Sequence, residues 1–364
     1  MQAPIRTGMA GYGMAAKVMH LPFLATSPRY EVVSVLERHD HHSQEKYPFV
    51  KVVRSMDELV ADPAIDLIVI TTPNETHFPY AEKALQAGKH VLVEKPFAIT
   101  TEQARQLIDL SGKKGLTLAV YQNRRYTADF RTIQQILREG SLGAIAEYVA
   151  HYDRYRPGPK PNAWREEPLP GSGILYDLGA HLLDQALFLF GIPRSITADV
   201  RLQRPHARAV DYFDIWLDYG FTKVTLKAGM YILEAGPRYS IHGTRGSYVK
   251  YHDDLQEALL KEGALPGGPD WGQEPPENWG ILHTLLPEGQ FHRAPYPSLP
   301  GNYGLYYEQL ADHLLLGSPL RELPEHSFNA LRLIELAMES HAKGQTLPCN
   351  GLIELPGLFP PTER

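Results

Sequence analysis

The chain of 364 residues has one cysteine, Cys349. It can form no intramolecular disulfide framework, and such usage fits a reducing compartment. Positive charge is not in excess: 36 Lys and Arg stand against 42 Asp and Glu, giving a net charge of -6 and a pI near 6.2. Neither nucleic acid nor an anionic membrane is expected as the main partner. No apolar run reaches the roughly 18 residues of a membrane-spanning helix. The opening residues MQAPIRTGMAGYG also lack the charged segment and apolar run of a secretory signal. A soluble, cytoplasmic protein is therefore expected. There is no internal repeat or low-complexity tract. The length exceeds the roughly 250–300 residues at which single cores stop growing, so two domains are expected.

What is present in the first third is an alternation of strand-like and helix-like patterns. Ile5 to Ala10, Tyr30 to Leu36, Asp66 to Thr71, His90 to Val93 and Leu116 to Val120 read as buried strands. Helical spacing runs over Met14 to Ala25, Thr76 to Ala87 and Thr100 to Lys114. Strands alternating with helices predict right-handed crossovers and a doubly wound parallel sheet, a Rossmann arrangement over residues 1–122.

The first strand-to-helix turn, Gly11-Tyr12-Gly13-Met14-Ala15-Ala16, matches G-x-G-x-x-G/A. Gly11 permits a tight turn, and Gly13 leaves room for a pyrophosphate against the backbone N–H groups that Met14 and Ala15 begin. Ala16 lets helix pack on strand. A dinucleotide cofactor follows. Glu37, at the end of the second strand, is placed to bond both ribose hydroxyls and repel a 2′-phosphate, whereas Arg38 beside it could pair with that phosphate. The two cues conflict; the balance leans to NAD, with NADP open. The His39 to His42 tract reads as solvated loop, and no metal site is expected.

Ligands bind at the carboxyl ends of parallel strands. Thr71, Thr72, Pro73, Asn74 and His77 follow the fourth strand and are expected near the nicotinamide ribose, although a capped helix start explains the same residues. Glu94 and Lys95 follow the fifth strand, where an ammonium could stabilise a developing alkoxide. Gln122 is assigned to the cofactor, and Asn123 and Arg124 to the substrate.

Between Gly171 and Asp184 the chain reads GSGILYDLGAHLLD. Asp177, His181 and Asp184 are spaced by four and three residues, so a helix stacks them on one face. Two acids around an imidazole suit proton handling. A solvated polar stripe is the plainer alternative.

Together GYGMAA, TTPNETH, EKP and DLGAHLLD resemble the glucose-fructose oxidoreductase, inositol dehydrogenase and rhizopine catabolism family (Gfo/Idh/MocA). MHLPFL, YQNRRYTADF and HGTRGSYVKYHDD look most like its bacterial scyllo-inositol dehydrogenase branch. The resemblance covers almost the whole chain. It implies a catalytic trio of Lys95, Asp177 and His181 and a sugar or cyclic polyol substrate. It also implies that Trp164 and Arg165 reach the cofactor or the active-site mouth. His181 would take the hydroxyl proton, Asp177 orient the imidazole and Lys95 stabilise the alkoxide. Two alternatives stay open: an NAD-dependent glycoside hydrolase, and a sensor that has lost its chemistry, which an intact trio disfavours.

Residues 123–364 are expected to form an α+β domain for substrate binding and oligomerisation, whose last helices may return to the first domain. Strand signals lie at Ala144 to Asp153 and near 194–203, 211–219, 222–232, 238–243 and 247–251, joined by short turns that suggest an open, mostly antiparallel sheet. In HYDRYR, 151–156, Tyr152 is a candidate for substrate hydroxyls. By the resemblance, the sheet's second face is covered in a homodimer or homotetramer. Residues 262–301 hold eight Pro and seven Gly, read as a long irregular excursion near the sheet edge or active-site mouth. Tyr303, Tyr306 and Tyr307 read as packing residues.

Overall fold

A computed structural model of the chain describes residues 3–160 and 163–360. The chain folds into two compact units. The first comprises residues up to Asn123 together with Leu255–Trp271 and Asn302–Ser327; the second comprises Arg124–Asp254, Gly272–Gly301 and the residues from Phe328 onward. The stretches 255–271 and 302–327, inside the 123–364 boundary drawn from sequence, thus cluster with the first unit.

The first unit is built on β1 (Ile5–Ala10), β2 (Tyr30–Leu36), β3 (Lys51–Val53), β4 (Leu67–Ile70), β5 (His90–Val93) and β6 (Leu118–Val120). Their spatial order is β3-β2-β1-β4-β5-β6, and every pairing is parallel. All four residues of β4 are buried, as expected of a central strand covered on both faces. β3 has three residues and sits at the edge, too short for its pattern to register in sequence. The helices are α1 (Leu21–Thr26), α2 (His42–Lys46), α3 (Met56–Ala61), α4 (His77–Gln86) and α5 (Thr101–Lys114). Ser55 and Thr100 cap α3 and α5 by accepting from Glu58 and Gln103 N–H. Two later helices complete this unit, α8 (Gln256–Lys261) and α9 (Gly304–Leu316); α6 and α7 belong to the second. On α9 the Tyr307 ring stacks on Phe23 at 5.5 Å, and its carbonyl accepts the Tyr30 hydroxyl at 2.6 Å. Tyr303, Tyr306 and Tyr307 are buried packing residues.

The second unit holds a nine-stranded sheet. Its strands are β7 (Ile145–His151), β8 (Ser195–Arg201), β9 (Tyr212–Tyr219), β10 (Thr222–Gly229), β11 (Tyr239–Gly243), β12 (Gly246–Lys250), β13 (Gly280–Leu285), β14 (Phe291–Tyr296) and β15 (Leu347–Pro348). The order is β14-β13-β12-β11-β7-β10-β9-β8-β15. Only β7 and β10 pair in parallel; the other ladders are antiparallel. Three helices belong here: α6 (Ala128–Glu139), α7 (Ala180–Phe190) and α10 (Pro324–Lys343), the last from Phe328 onward. Every residue of α7 is buried, because one face of the sheet closes over it. Tyr148 of β7 meets Phe190 edge-on at 5.4 Å.

The excursion expected over 262–301 is corrected in part. Its second half is the regular hairpin β13–β14, with Leu286 N–H donating to Gln290 across the turn at 2.8 Å. Proline is tolerated because β14 is the outermost strand, where Pro295 need not donate to a further neighbour.

The packing of α7 sets an expectation for stability. Leu183 is fully buried, so Leu183→Ala should lower the unfolding free energy by about 2–5 kcal/mol, read from the urea midpoint at constant slope.

Candidate active site

In the first unit the carboxyl ends of β1, β2, β4 and β5 carry the candidate residues. Gly11 has φ +104°, and a Cβ there would meet the Thr72 methyl at 3.0 Å and the Thr71 hydroxyl at 3.3 Å. A side chain is thus excluded by both backbone conformation and space. A Cβ at Gly13 would meet nothing within 4 Å. The space above the turn is open, as a bound pyrophosphate requires, so the residues fit a dinucleotide. Tyr12 lies half-buried with Lys17 Nζ 4.7 Å from its ring centre. Met14 is exposed and Ala15 half-buried, at the start of a six-residue π-helical turn, Ala15–His20.

Glu37 is turned inward. Its carboxylate accepts from the N–H groups of His42 (3.1 Å) and Ser43 (2.9 Å) and from the Ser43 hydroxyl (2.5 Å). It thereby satisfies the first amides of α2. Arg38 beside it is exposed. A shallow depression of about 450 Å³ next to the glycine turn is lined by Tyr12, Lys17, His42, Glu45 and Lys46. It was not anticipated, because Lys17 and Lys46 stand 29 residues apart in sequence. Within the His39 to His42 tract, exposed His42 pairs with Glu45 at 2.9 Å, which raises the imidazole pKa.

After β4, the Thr71 hydroxyl donates toward the carbonyls of Ala10 and Gly11, fastening β4 to the glycine turn. Thr72 accepts from the Thr76 hydroxyl at 2.6 Å; Pro73 is exposed and Asn74 buried. His77 differs from its expected role. The ring is buried, with Nδ1 2.8 Å from Pro96 O and Nε2 2.8 Å from Thr72 O. Each nitrogen lies against a backbone carbonyl, the neutral ring donating to one of them, so His77 sits between the loop after β4 and the loop after β5 rather than facing a cofactor. Burial pushes its pKa down, against those two carbonyls. Gln122 is likewise buried, its amide donating to Ser327 at 2.9 Å.

Glu94 and Lys95 follow β5, and the Lys95–Pro96 peptide is cis. Both are half-buried. Glu94 accepts from Lys95 N–H at 3.2 Å, and its other oxygen lies 2.9 Å from Nε2 of the fully buried His20. Burial alone would raise the Glu94 pKa. The hydrogen bond and charge of His20, then Lys95 and His77, more than offset that and hold it low. His20, within MHLPFL, was not picked out as a partner of EKP, since 74 residues separate it from Glu94.

In the second unit, Asp177 and His181 sit where a π-helical turn, Leu175–Gly179, passes into α7. Asp177 is partly exposed and lies 3.5 Å from Arg165 Nε; His181 is buried. Asp184 is corrected out of the stripe. Its carboxylate takes two bonds from Arg125, Nε at 2.8 Å and Nη2 at 2.6 Å, with both side chains buried. Such a fork fixes the segment after β6 to α7. Arg165 stacks on Trp164 at 4.5 Å. Asn123, in the first unit, is buried, and Arg124, in the second, is half-buried with its carbonyl accepting from Gln185. Tyr152 is buried under the Arg238 guanidinium, 3.2 Å from its ring centre. Arg154, two residues on, was not singled out; burial lowers its pKa against the attraction of Asp177.

A glycine turn that excludes side chains at one position and leaves open space at another, together with a lysine after β5 and an acid–imidazole pair at a helix start, defines a nucleotide-binding oxidoreductase class. Residues 5–122 match the family model described as oxidoreductase family, NAD-binding Rossmann fold, and 134–349 match the corresponding C-terminal alpha/beta domain. The chain belongs to this GFO_IDH_MocA family and is an oxidoreductase. It is 39% identical over 343 residues to scyllo-inositol 2-dehydrogenase (NADP(+)) IolW of Bacillus subtilis, covering 94% of this chain and 95% of that protein. It is 43% identical to the uncharacterized oxidoreductase YdgJ of Escherichia coli, over 94% and 98% of the two chains. A putative oxidoreductase of Bacillus subtilis, yvaA, superposes with a TM-score of 0.91 at 37% identity, covering 96% of this chain and 99% of that one.

The buried titratable groups of the first unit give a pH dependence. The pKa of His77 is depressed in the fold, so protonation in the unfolded chain, below about pH 6.5, draws the equilibrium toward unfolding. The depressed pKa of Glu94 contributes stability above the ordinary carboxylate range that is lost as pH falls through its folded value. Urea midpoints between pH 8 and 2.5 should therefore fall in two stages. His77→Gln should shrink the first stage, to which His90, its pKa also lowered by burial, contributes the remainder, and leave the second.

Proposed function

We propose that this protein is an NADP-linked dehydrogenase that oxidises a secondary hydroxyl of a cyclic polyol or sugar, or reduces the corresponding ketone. The observation that carries the cofactor preference is the engagement of Glu37 with the start of α2. A carboxylate so occupied is less able to take ribose hydroxyls. Exposed Arg38, with Lys17 and Lys46 around the nearby depression, offers positive charge suited to a 2′-phosphate. The relative IolW is named for NADP(+). These features outweigh the lean to NAD that the sequence suggests. Gly11, Gly13 and the amides from Tyr12 to Ala15 would hold the pyrophosphate, and Thr71 to Asn74, Glu94 and Gln122 would shape the nicotinamide end. Trp164 and Arg165 are candidates to complete it.

When bound, the nicotinamide supplies the hydride acceptor or donor. The remaining chemistry falls to side chains. His181 accepts the substrate hydroxyl proton on oxidation and returns it on reduction. Asp177 orients the imidazole and stabilises its charged form. Lys95 stabilises the alkoxide with its ammonium. Asn123, Arg124 and Tyr152 are proposed to take other hydroxyls of the ring. Trp216 on β9 is exposed, as are Tyr155 and Tyr231, which pair at a bridge just beyond β7 and β10. We infer that a second copy covers these side chains, in a homodimer or homotetramer; light scattering at monomer mass would overturn this.

The test is reduced-cofactor formation with scyllo-inositol and a panel of other inositols, glucose and xylose, each with NAD and NADP. NADP is expected to win. Arg38→Ala should weaken NADP about tenfold and leave NAD little changed. His181→Ala should lower kcat by about 10² or more while cofactor affinity stays within about threefold. Equal turnover in that variant would exclude His181 as the acid–base group.

A further inference from the structure

Behind Lys95 lies a chain of buried polar groups that the proposed reaction does not use. His20 is fully buried; Nε2 is 2.9 Å from Glu94 Oε1, and Nδ1 is 2.9 Å from the Tyr307 hydroxyl. The Tyr307 hydroxyl also lies 3.1 Å from Met19 O, a carbonyl that accepts the Tyr121 hydroxyl at 3.0 Å. The His20 ring rests on Tyr121, with centres 4.4 Å apart. All these groups belong to the first unit.

The hydrogen inventory limits the protonation states. A carboxylate only accepts, so Nε2 must carry hydrogen toward Glu94. Tyr307 has one hydroxyl proton for two neighbours. If it donates to Nδ1, His20 is neutral. If it donates to Met19 O, Nδ1 must donate to it and His20 is a cation. Both arrangements keep the Nε2–H bond to Glu94, and the neutral one becomes the cationic one by taking up one proton from solvent at Nδ1 as the Tyr307 hydroxyl turns to Met19 O. Three kinds of charged or titratable group face Glu94 from the surrounding elements: His20 on the π-helical turn, His77 on α4 and Lys95 beside it, with Tyr307 of α9 farther off. His77 lies against two carbonyls, and His20 reaches the carboxylate directly from its side chain.

We propose that His20 is a positioning residue for Lys95, acting through Glu94: its Nε2–H holds the Glu94 carboxylate as a fixed anion beside the catalytic ammonium. Without that bond, desolvation favours the neutral acid, and Lys95 loses both its adjacent counter-charge and a fixed neighbour. Tyr307 accommodates either state of the ring, so the bond to Glu94 persists across pH. The inference rests on Lys95 acting in alcohol–ketone chemistry.

Two readouts test it on the full chain with saturating NADPH. In protein labelled with ¹³C at glutamate carboxyls, with the Glu94 resonance assigned through Glu94→Gln, His20→Phe should raise the Glu94 titration midpoint by about three pH units, into the neutral range. Reduction of the ketone corresponding to scyllo-inositol is the second readout, chosen because His181 must be protonated there and adds no loss on the acid side. His20→Phe should fall about tenfold below the native protein at pH 6 and recover to within about threefold at pH 8.5. His20→Gln, which keeps an N–H donor, should stay within about threefold at both. If His20→Phe does not fold, Glu94→Gln, a permanently neutral side chain, should show the tenfold loss at both pH values under saturating NADPH. An unmoved midpoint, a loss independent of pH in His20→Phe, or full turnover in Glu94→Gln overturns the proposal. Native protein that reduces no ketone although the midpoint moves overturns the alcohol–ketone reaction, and with it the role of Lys95, while leaving the His20–Glu94 bond itself demonstrated.

Discussion

The parallel pairing of β2, β1, β4 and β5 is the constraint on which the first unit depends. Parallel strands in one sheet bring their carboxyl ends to a single edge, so Gly11, Glu37, Thr71 and the Glu94–Lys95 pair emerge together although up to 84 residues separate them. That edge has no room to spare. Thr71 and Thr72 press against Gly11 closely enough to exclude a Cβ, and the Thr71 hydroxyl bonds back to the turn. His77 then sits between the loop after β4 and the loop after β5.

Both units place ionisable groups out of water, and where they do so the groups are held. Arg125 and Asp184 form a two-bond fork. Arg204 engages Asp211 and Glu166. Lys250 meets Glu274 and the Asn278 carbonyl. Such pairs contribute little net stability compared with apolar packing, but removing one member strands the other. They act as registers that fix which segment meets which. Asp184 shows the distinction: it looks like a third member of a proton-handling stripe, and its environment makes it a fastening for the segment after β6.

Much of this was legible beforehand. The doubly wound first unit followed from alternating periodicities, and the glycine turn from spacing next to a strand. Six strands of the second sheet followed from short runs between turn residues. The family resemblance in EKP and DLGAHLLD matches the family models over most of the chain. What escaped has physical causes. β3 is three residues long and carries no period. The β13–β14 hairpin is rich in proline and glycine because an edge can tolerate them. The π-helical turns at Ala15–His20 and Leu175–Gly179 leave the apolar spacing of a helix nearly intact.

By itself the sequence determined the class: a nucleotide turn, a lysine after the fifth strand, and an acid four residues before a histidine, all local patterns that chemistry constrains at short range. Tertiary structure decided how each side chain is used. Glu37 bonds the start of α2 and His77 lies against two carbonyls, while His20 reaches Glu94 across 74 residues. A hydrogen bond depends on where donors and acceptors meet in space, and for residues this far apart the fold alone sets that distance.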